Sequence, residues 1–281
     1  MAPSDNADAS LREGLGERGR PAWRRIASDP RWFSALSVVL LVSGWYYGTE
    51  VARAIPPKFL PSPAALFKEF VTLSAEGYAG TPLWDHVLTS LLRMLSGFFL
   101  SVLAAVPLGL IMGASPRTRA FLNPIFNSLR PVPSIALIPL MVLWFGIGET
   151  AKVFVIFLAS FLFVVLNTAA GVSTVPRGLL RAAVNLGATR FQLFWRVIFP
   201  AALPAIMTGL KTGLAVSWAV VVAAELLGAQ KGLGYMIEDA ATFYRISAVY
   251  VGVILIGGIG LSMTAFLNWV EQRVIHWAGK T

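Results

Sequence analysis

The amino-acid sequence predicts an all-α membrane protein in which several helices cross the bilayer. Three observations favour this fold class: of the 281 residues 56% are hydrophobic, only 13% are charged, and the mean hydropathy is +0.69. A soluble domain carries about 25% charged residues, because its surface has to face water. Within hydrocarbon, a helix satisfies its own backbone hydrogen bonds and an open strand does not.

The chain divides into a polar tail and one apolar domain. Residues 1–31 alternate glycines with charges and contain six arginines, which predicts a disordered cytoplasmic tail. Residues 32–281 predict a transmembrane domain. It has six apolar segments that can each cross about 30 Å of hydrocarbon as a helix, near 33–52, 87–113, 121–146, 151–172, 201–226 and 247–269.

The distribution of lysine and arginine predicts that both termini lie in the cytoplasm. In this orientation the cytoplasmic pieces carry 14 of these cations and the outer pieces carry six, as the positive-inside rule requires. The net charge of +9 therefore mainly reflects the membrane topology. We expect the chain to contact membrane lipid and not to bind nucleic acid. In the outer loop 52–86, four prolines precede an amphipathic stretch, 64–73, which predicts a helix at the membrane surface.

The residue types argue against chemistry on this chain. There is no cysteine, and His86 and His276 are too far apart in sequence to match a metal-ligand spacing. No Ser/His pair or carboxylate cluster indicates an active site, so we predict no catalytic residue, no metal and no cofactor. The final Gly279-Lys280-Thr281 is no phosphate loop, because Val274 stands where such a loop needs glycine.

The segment between the fourth and fifth spans, 173–200, has the pattern of an ordered loop. Ser173 or Thr174 can cap a helix that has Pro176 in its first turn. Gly187 suits a left-handed C-terminal cap, and Thr189 can start a second helix. One face of the first helix is apolar and the other is polar; the two sets are Leu179, Ala183 and Leu186, and Arg177, Arg181 and Asn185. An alternative is that this helix rests on anionic lipid headgroups.

This loop resembles the coupling loop of ABC importer permeases, which reads Glu-Ala-Ala, three residues, Gly, nine residues, Ile, one residue, Leu-Pro. Ala182, Ala183, Gly187 and Pro200 match that pattern. The chain departs from it at three positions, which are Arg181, Val197 and Phe199. Segments 130–152 and 209–235 look like the taurine, alkanesulfonate, nitrate and bicarbonate permease group, and 130–152 looks most like taurine permeases.

The resemblance implies a type I ABC importer permease fold and no enzyme activity. Two copies of the chain would assemble with two ATPase subunits, which bind ATP and magnesium, in a bacterial inner membrane. A binding protein on the outer side of this membrane would deliver the substrate, a small anion such as taurine or another sulfonate. The first alternative is a nitrate or bicarbonate permease of the same group. A less favoured alternative is an ion-coupled secondary transporter. The implied ATPase contacts are Arg181, Ala182, Ala183, Gly187, Ala188, Thr189, Arg190, Phe191 and Pro200.

Charged and aromatic residues in the spans are the candidates for the pathway or a gate, because charge in hydrocarbon is costly. Arg93 and Lys211 are expected to snorkel to the membrane surface, and carbonyls freed by the following prolines are expected to hold Arg130. Glu225 is predicted to be a gate or a structural partner. Four aromatic residues are predicted to cluster near the outer ends of spans three and five, as an interfacial belt or a gate; these are Trp144, Phe145, Trp218 and Tyr235.

Overall fold

The computed structural model describes residues 30–226 and 228–275, and helices account for most of them. No strand occurs in these ranges, where the only bridge joins Tyr78 and Thr81. The all-α prediction is therefore confirmed. The predicted tail lies outside the described residues except for its last two, which begin the first helix, and so does the tripeptide 279–281. The chain forms two compact units that divide after Ala65.

In the first unit, helix α1 (Pro30–Tyr46) continues into a π-helical turn, Tyr47–Val51. Trp45 closes the following loop, because its Nε1 donates a hydrogen bond to the carbonyl oxygen of Pro61 at 3.1 Å. With 17 residues, α1 alone is shorter than the roughly 20 residues of a membrane span, and the π turn extends it. The predicted span 33–52 is thus helical, and its crossing of the bilayer stays a prediction.

The remaining helices follow in chain order. Helix α2 (Pro63–Glu76) begins just before the unit boundary, and the second unit contains the rest. These are α3 (Leu83–Ala114), α4 (Pro116–Leu129), a 3₁₀ turn (Ser134–Leu137), α5 (Ile138–Phe145), α6 (Glu149–Ser173), α7 (Arg177–Asn185), α8 (Arg190–Leu193), a π turn (Phe194–Ile198), α9 (Phe199–Glu225), α10 (Leu233–Thr242) and α11 (Ile246–Val274).

Four helical stretches of the described chain are long and apolar enough to cross a membrane. They are α3, α6, the continuous stretch Arg190–Glu225 that ends with α9, and α11. The prediction of one helix over 121–146 is wrong, because its two halves, Pro116–Leu129 and Ser134–Phe145, meet at 85°. Pro131 and Pro133 lie between them and cannot donate backbone hydrogen bonds, so the helix breaks there. The described residues give four spans, or five if this bent pair counts as one.

Helix α6 lies at the centre of the second unit and packs against α3 and α9. Glycines of α3 allow this close packing: a Cβ built on Gly97 would lie 2.7 Å from Ile156, and one on Gly109 would lie 2.6 Å from Thr168. Small residues at helix contacts let two backbones approach in a membrane, where dispersion contacts replace the hydrophobic effect. The packing brings the ends of α3, α6 and α9 together beside α10.

Candidate functional site

The segment between α6 and α9 is an ordered pair of short helices, as the sequence predicts. Gly187 ends α7 with a φ of +79°, a conformation that costs glycine little. Thr189 begins α8 with a capping box: its hydroxyl accepts from the Gln192 N–H at 3.3 Å, and its own N–H donates to Gln192 Oε1 at 2.9 Å. The glycine cap and the threonine start are both confirmed.

The predicted N-terminal cap of α7 is wrong. The Ser173 and Thr174 hydroxyls both donate to the carbonyl oxygen of Ala170, each at 3.0 Å. They do so because α6 extends to Ser173, so that the carbonyl oxygen one helical turn behind them is within reach of both hydroxyls. The residue before α7 is Pro176, whose side chain makes no capping hydrogen bond.

The α7–α8 segment presents apolar side chains at its surface, and no side chain of α7 is buried within the chain. Leu186 is 88% exposed, Phe191 72% and Leu179 51%. Large exposed apolar side chains on an ordered helix pair are typical of a surface that a partner covers. Of the implied ATPase contacts, Ala183, Ala188 and Pro200 are half-buried and the others are exposed, namely Arg181, Ala182, Gly187, Thr189, Arg190 and Phe191.

At the other end of α6, Arg93 forms ion pairs with two carboxylates. Its Nε and Nη2 donate to Glu149 at 2.5 and 2.6 Å, and its Nη1 donates to Glu225 Oε1 at 2.9 Å. Arg93 is only 6% exposed, so the prediction that it snorkels is wrong. The paired carboxylates offset the desolvation of the guanidinium where it is, and reaching the surface is unnecessary.

Glu225 is 1% exposed, and protein donors surround its carboxylate. Besides Arg93, it accepts hydrogen bonds from the Ser90 hydroxyl at 2.8 Å and from the Gly234 N–H at 2.9 Å. We call Ser90, Arg93, Glu149 and Glu225 the ionic cluster. Sequence reasoning missed it, although Ser90 and Arg93 are three residues apart and so share a helix face.

The ionic cluster holds the backbone that leads into α10. Arg93 Nη1 donates to the Lys231 carbonyl oxygen at 2.6 Å, and Ser90 Oγ accepts from the Leu233 N–H at 2.8 Å. The Gly232 N–H lies 3.1 Å from Nδ1 of buried His86. Side chains of α3 and α9 thereby bind successive backbone groups of 231–234, which fixes the start of α10 against these two helices.

The other end of α10 is held by a second polar contact. The Tyr78 hydroxyl donates to Asp239 Oδ2 at 2.8 Å. Burial, and then this hydrogen bond, raise the pKa of Tyr78 above its usual value, so the phenol stays protonated and keeps donating. Helix α10 is therefore fixed near both ends.

The four aromatic residues that are predicted to form a belt or a gate do not contact one another, and either role stays a prediction. In the described part of the chain, no ring contact joins any two of Trp144, Phe145, Trp218 and Tyr235. Trp144 is 62% exposed. The other three contact different residues: Phe145 packs on Phe154 with ring centroids 5.0 Å apart, Tyr235 stacks on His86 at 6.1 Å, and Trp218 Nε1 donates to the Ile256 carbonyl oxygen at 3.0 Å.

The two remaining cations have different surroundings. Lys211 forms an ion pair with Glu271 in the last turn of α11, a contact that the sequence did not predict. Arg130 lies at the bend between α4 and α5, where it lines a cavity of about 450 Å³. Within the described residues its guanidinium has no hydrogen bond or ion pair to a protein group, so the predicted contact with freed carbonyls is absent there.

Substituting Gly232 should test how tightly the ionic cluster is built. Its φ is +130°, and an added Cβ would overlap the Glu225 carboxylate. We therefore expect Gly232→Ala to lower the free energy of unfolding by about 2–4 kcal/mol, through backbone strain and overpacking. Thermal unfolding of the purified chain measures this. Gly257→Ala is the control, because a Cβ there meets open space; equal effects of the two substitutions would contradict the tight packing.

Comparison with known proteins gives both a family and close relatives. Residues 105–276 match the family described as "Binding-protein-dependent transport system inner membrane component". The chain is 39% identical over 271 residues to the taurine transport system permease protein TauC of Escherichia coli (strain K12), covering 96% of this chain and 98% of that protein. It is 35% identical over 275 residues to the putative aliphatic sulfonates transport permease protein SsuC of Bacillus subtilis (strain 168), covering 98% and 94%.

A solved structure supports the fold. The MetNI methionine ABC transporter, in an inward-facing conformation, contains a chain that superposes with a TM-score of 0.58 at 19% identity. The superposition covers 69% of this chain and 94% of that one. At this level of identity the likeness shows the architecture alone.

Proposed function

This chain belongs to the family of binding-protein-dependent transport system inner membrane components, and we propose that it forms the path by which an ATP-driven importer moves taurine or another small sulfonate. It is an ABC importer permease of the taurine, sulfonate and nitrate group, and the ATPase is a separate subunit. The observation that carries the choice of substrate is the similarity to a taurine permease over almost the full length of both chains.

The α7–α8 segment is proposed as the coupling element that the ATPase grips. Its ordered caps and its exposed Leu186 and Phe191 support this role. Because Thr189 and Gly187 fix the turn between the two short helices, a movement of the ATPase would be transmitted as movement of α6 and α9. The proposed contacts are those that the resemblance implies, Arg181, Ala182, Ala183, Gly187, Ala188, Thr189, Arg190, Phe191 and Pro200.

The proposed assembly has two copies of this chain, two ATPases and one external binding protein. ATP and magnesium bind to the ATPases, and this chain holds no cofactor. Both termini and the α7–α8 segment face the cytoplasm, as the distribution of lysine and arginine indicates. ATP binding would bring the two coupling segments together and open the path outward, and hydrolysis would return it inward.

In this cycle the ionic cluster is proposed to keep the outer end of each permease rigid. Glu225 serves as a structural partner of Arg93 and not as a ligand, since protein donors already occupy its carboxylate. Tyr235 belongs to the same rigid end through its contact with His86. Arg130 is proposed to line the path, and Trp144, Phe145 and Trp218 remain candidates for its walls.

Reconstitution tests the proposed function directly. Proteoliposomes that contain the permease, its ATPase and its binding protein should accumulate radiolabelled taurine only when ATP is present. Unlabelled ethanesulfonate should compete, and nitrate should compete less well. Taurine uptake by the permease without an ATPase would contradict the proposal, as would an assembled complex that imports nitrate and no sulfonate.

A further inference from the structure

The half-open cavity at the bend between α4 and α5 has a lining that combines apolar and polar side chains. Helices α6 and α9 cover it with apolar side chains such as Leu162 and Val216. Three polar side chains join this lining, from Arg130, Ser134 and Asn167. No aspartate or glutamate is among the described residues of the lining, so the cavity carries one positive charge and no negative one.

The cavity extends along the C-terminal half of α6. Its lining takes residues 159–170 from α6 and 216–220 from α9. Ala159 is ten residues from the start of α6, which corresponds to about 15 Å along the helix, or half of the roughly 30 Å thickness of the hydrocarbon. The cavity therefore extends from near the middle of α6 to its last turn, since Ala170 lies three residues before the helix ends at Ser173.

Three cations of the long spans pair with carboxylates, and Arg130 does not in the described part of the chain. Arg93 and Lys152 each pair with Glu149, and Lys211 pairs with Glu271. Arg130 has no such carboxylate among the described residues. Arg130 is exposed at this bend, so its guanidinium is accessible to an anion that enters the cavity and leaves again.

We infer that this cavity is the intramembrane site for the sulfonate group of the transported molecule, with Arg130 as its anchor. The planar guanidinium has five N–H donors and suits oxyanions, which it can bind through two parallel hydrogen bonds. The Ser134 hydroxyl can donate to another sulfonate oxygen. Asn167 Nδ2 donates one hydrogen to the Phe163 carbonyl oxygen at 2.8 Å, which leaves its second hydrogen for the ligand.

The same lining decides which part of the ligand the cavity recognises. Its apolar wall accommodates a short carbon chain, but it contains no carboxylate for the ammonium group of taurine. The cavity therefore recognises the anionic end and does not select for the amine. This inference rests on the proposed function, since it assumes that a sulfonate passes through the permease.

A binding measurement without transport tests the site. The permease–ATPase complex in detergent, with no binding protein, is heated with sodium ethanesulfonate, or with ethylammonium chloride or sodium chloride at the same ionic strength. We expect only ethanesulfonate to raise the melting temperature. Arg130→Met should remove this shift, and the control Arg117→Met, an exposed position of α4 outside the cavity, should keep it. No shift in the wild type, or an unchanged shift in Arg130→Met, would overturn the inference.

Transport by the full complex separates this inference from the proposed function. In proteoliposomes, Arg130→Met should reduce sulfonate uptake about tenfold or more, as the loss of a charge-assisted hydrogen bond predicts, and Arg130→Lys should recover part of it. If the wild type and Arg130→Met take up sulfonate equally fast, the proposed binding site is overturned and the proposed function is retained. If ethanesulfonate raises the melting temperature only when Arg130 is present, but the complex imports no sulfonate, the proposed function is overturned and the binding site is retained.

The lysine variant decides the case in which Arg130→Met does not assemble. Arg130→Lys keeps the positive charge but loses the planar fork. If it assembles and ethanesulfonate raises its melting temperature, the anchor role of the charge is supported. If it assembles and ethanesulfonate has no effect, Arg130 is needed only for structure and the inference is wrong.

Discussion

Replacing Gly187 by arginine is expected to abolish the ATP hydrolysis that a loaded binding protein stimulates, while the chain stays inserted in the membrane. Gly187 has a φ of +79°, and a Cβ there would meet open space within the chain. The fold therefore loses only about 1–2 kcal/mol of backbone energy. The larger loss arises at the partner surface, where an arginine side chain in a close contact costs about 3 kcal/mol, or roughly a hundredfold in binding.

A second substitution at the same position separates backbone strain from bulk. Asparagine tolerates a positive φ better than other side chains and is much smaller than arginine. Gly187→Asn should therefore retain most of the stimulated hydrolysis, measured as phosphate release by the complex in nanodiscs. If Gly187→Arg and wild type hydrolyse ATP at the same stimulated rate, the coupling role of this turn is refuted.

Replacing Arg93 by methionine should destabilise the permease more than the substitutions at Gly187 and Gly232. The change leaves the carboxylate of Glu225, which is 1% exposed, without its cation. Removing one partner of a buried ion pair typically costs 3–5 kcal/mol, because the remaining charge stays desolvated. We expect Arg93→Met to lower the free energy of unfolding by about that amount, as measured by thermal or denaturant unfolding of the purified chain.

Two further variants show whether this loss comes from the buried charge. Lys211→Met breaks the pair with Glu271, whose side chains are 27% and 32% exposed, so its cost should stay near 1 kcal/mol. The double variant Arg93→Met with Glu225→Gln should recover part of the stability that Arg93→Met loses, because no unpaired charge then remains on Glu225. Strictly additive effects would show that the two residues do not interact.

The sequence predicted those features that depend on local chemistry. The four long spans follow from apolar length, since hydrocarbon leaves a helix as the only arrangement with satisfied backbone groups. The turn at Gly187 and the capping box at Thr189 follow from side chains that act within four residues. The break at Pro131 and Pro133 could also have been predicted, because prolines stand in the middle of the supposed helix 121–146.

The ionic cluster could not be predicted in the same way. Ser90, Arg93, Glu149 and Glu225 come from three helices, and only the packing of α3 and α9 around α6 brings them together. Arg93 therefore looked like a residue that snorkels. The four aromatic residues do not contact one another for a related reason, since residues at similar depths in two spans need not face each other. The sequence singled out Arg130 as a charge near a proline, but only the bend shows the cavity beside it.

One labelling measurement tests the coupling role of the α7–α8 segment most directly. The chain has no cysteine, so Leu186→Cys, at a position that is 88% exposed, provides a single thiol. A membrane-impermeant maleimide should leave it unlabelled in intact cells, label it in inverted vesicles stripped of the ATPase, and fail to label it when the ATPase is added back. Labelling from outside intact cells, or labelling that the ATPase does not reduce, would contradict the account.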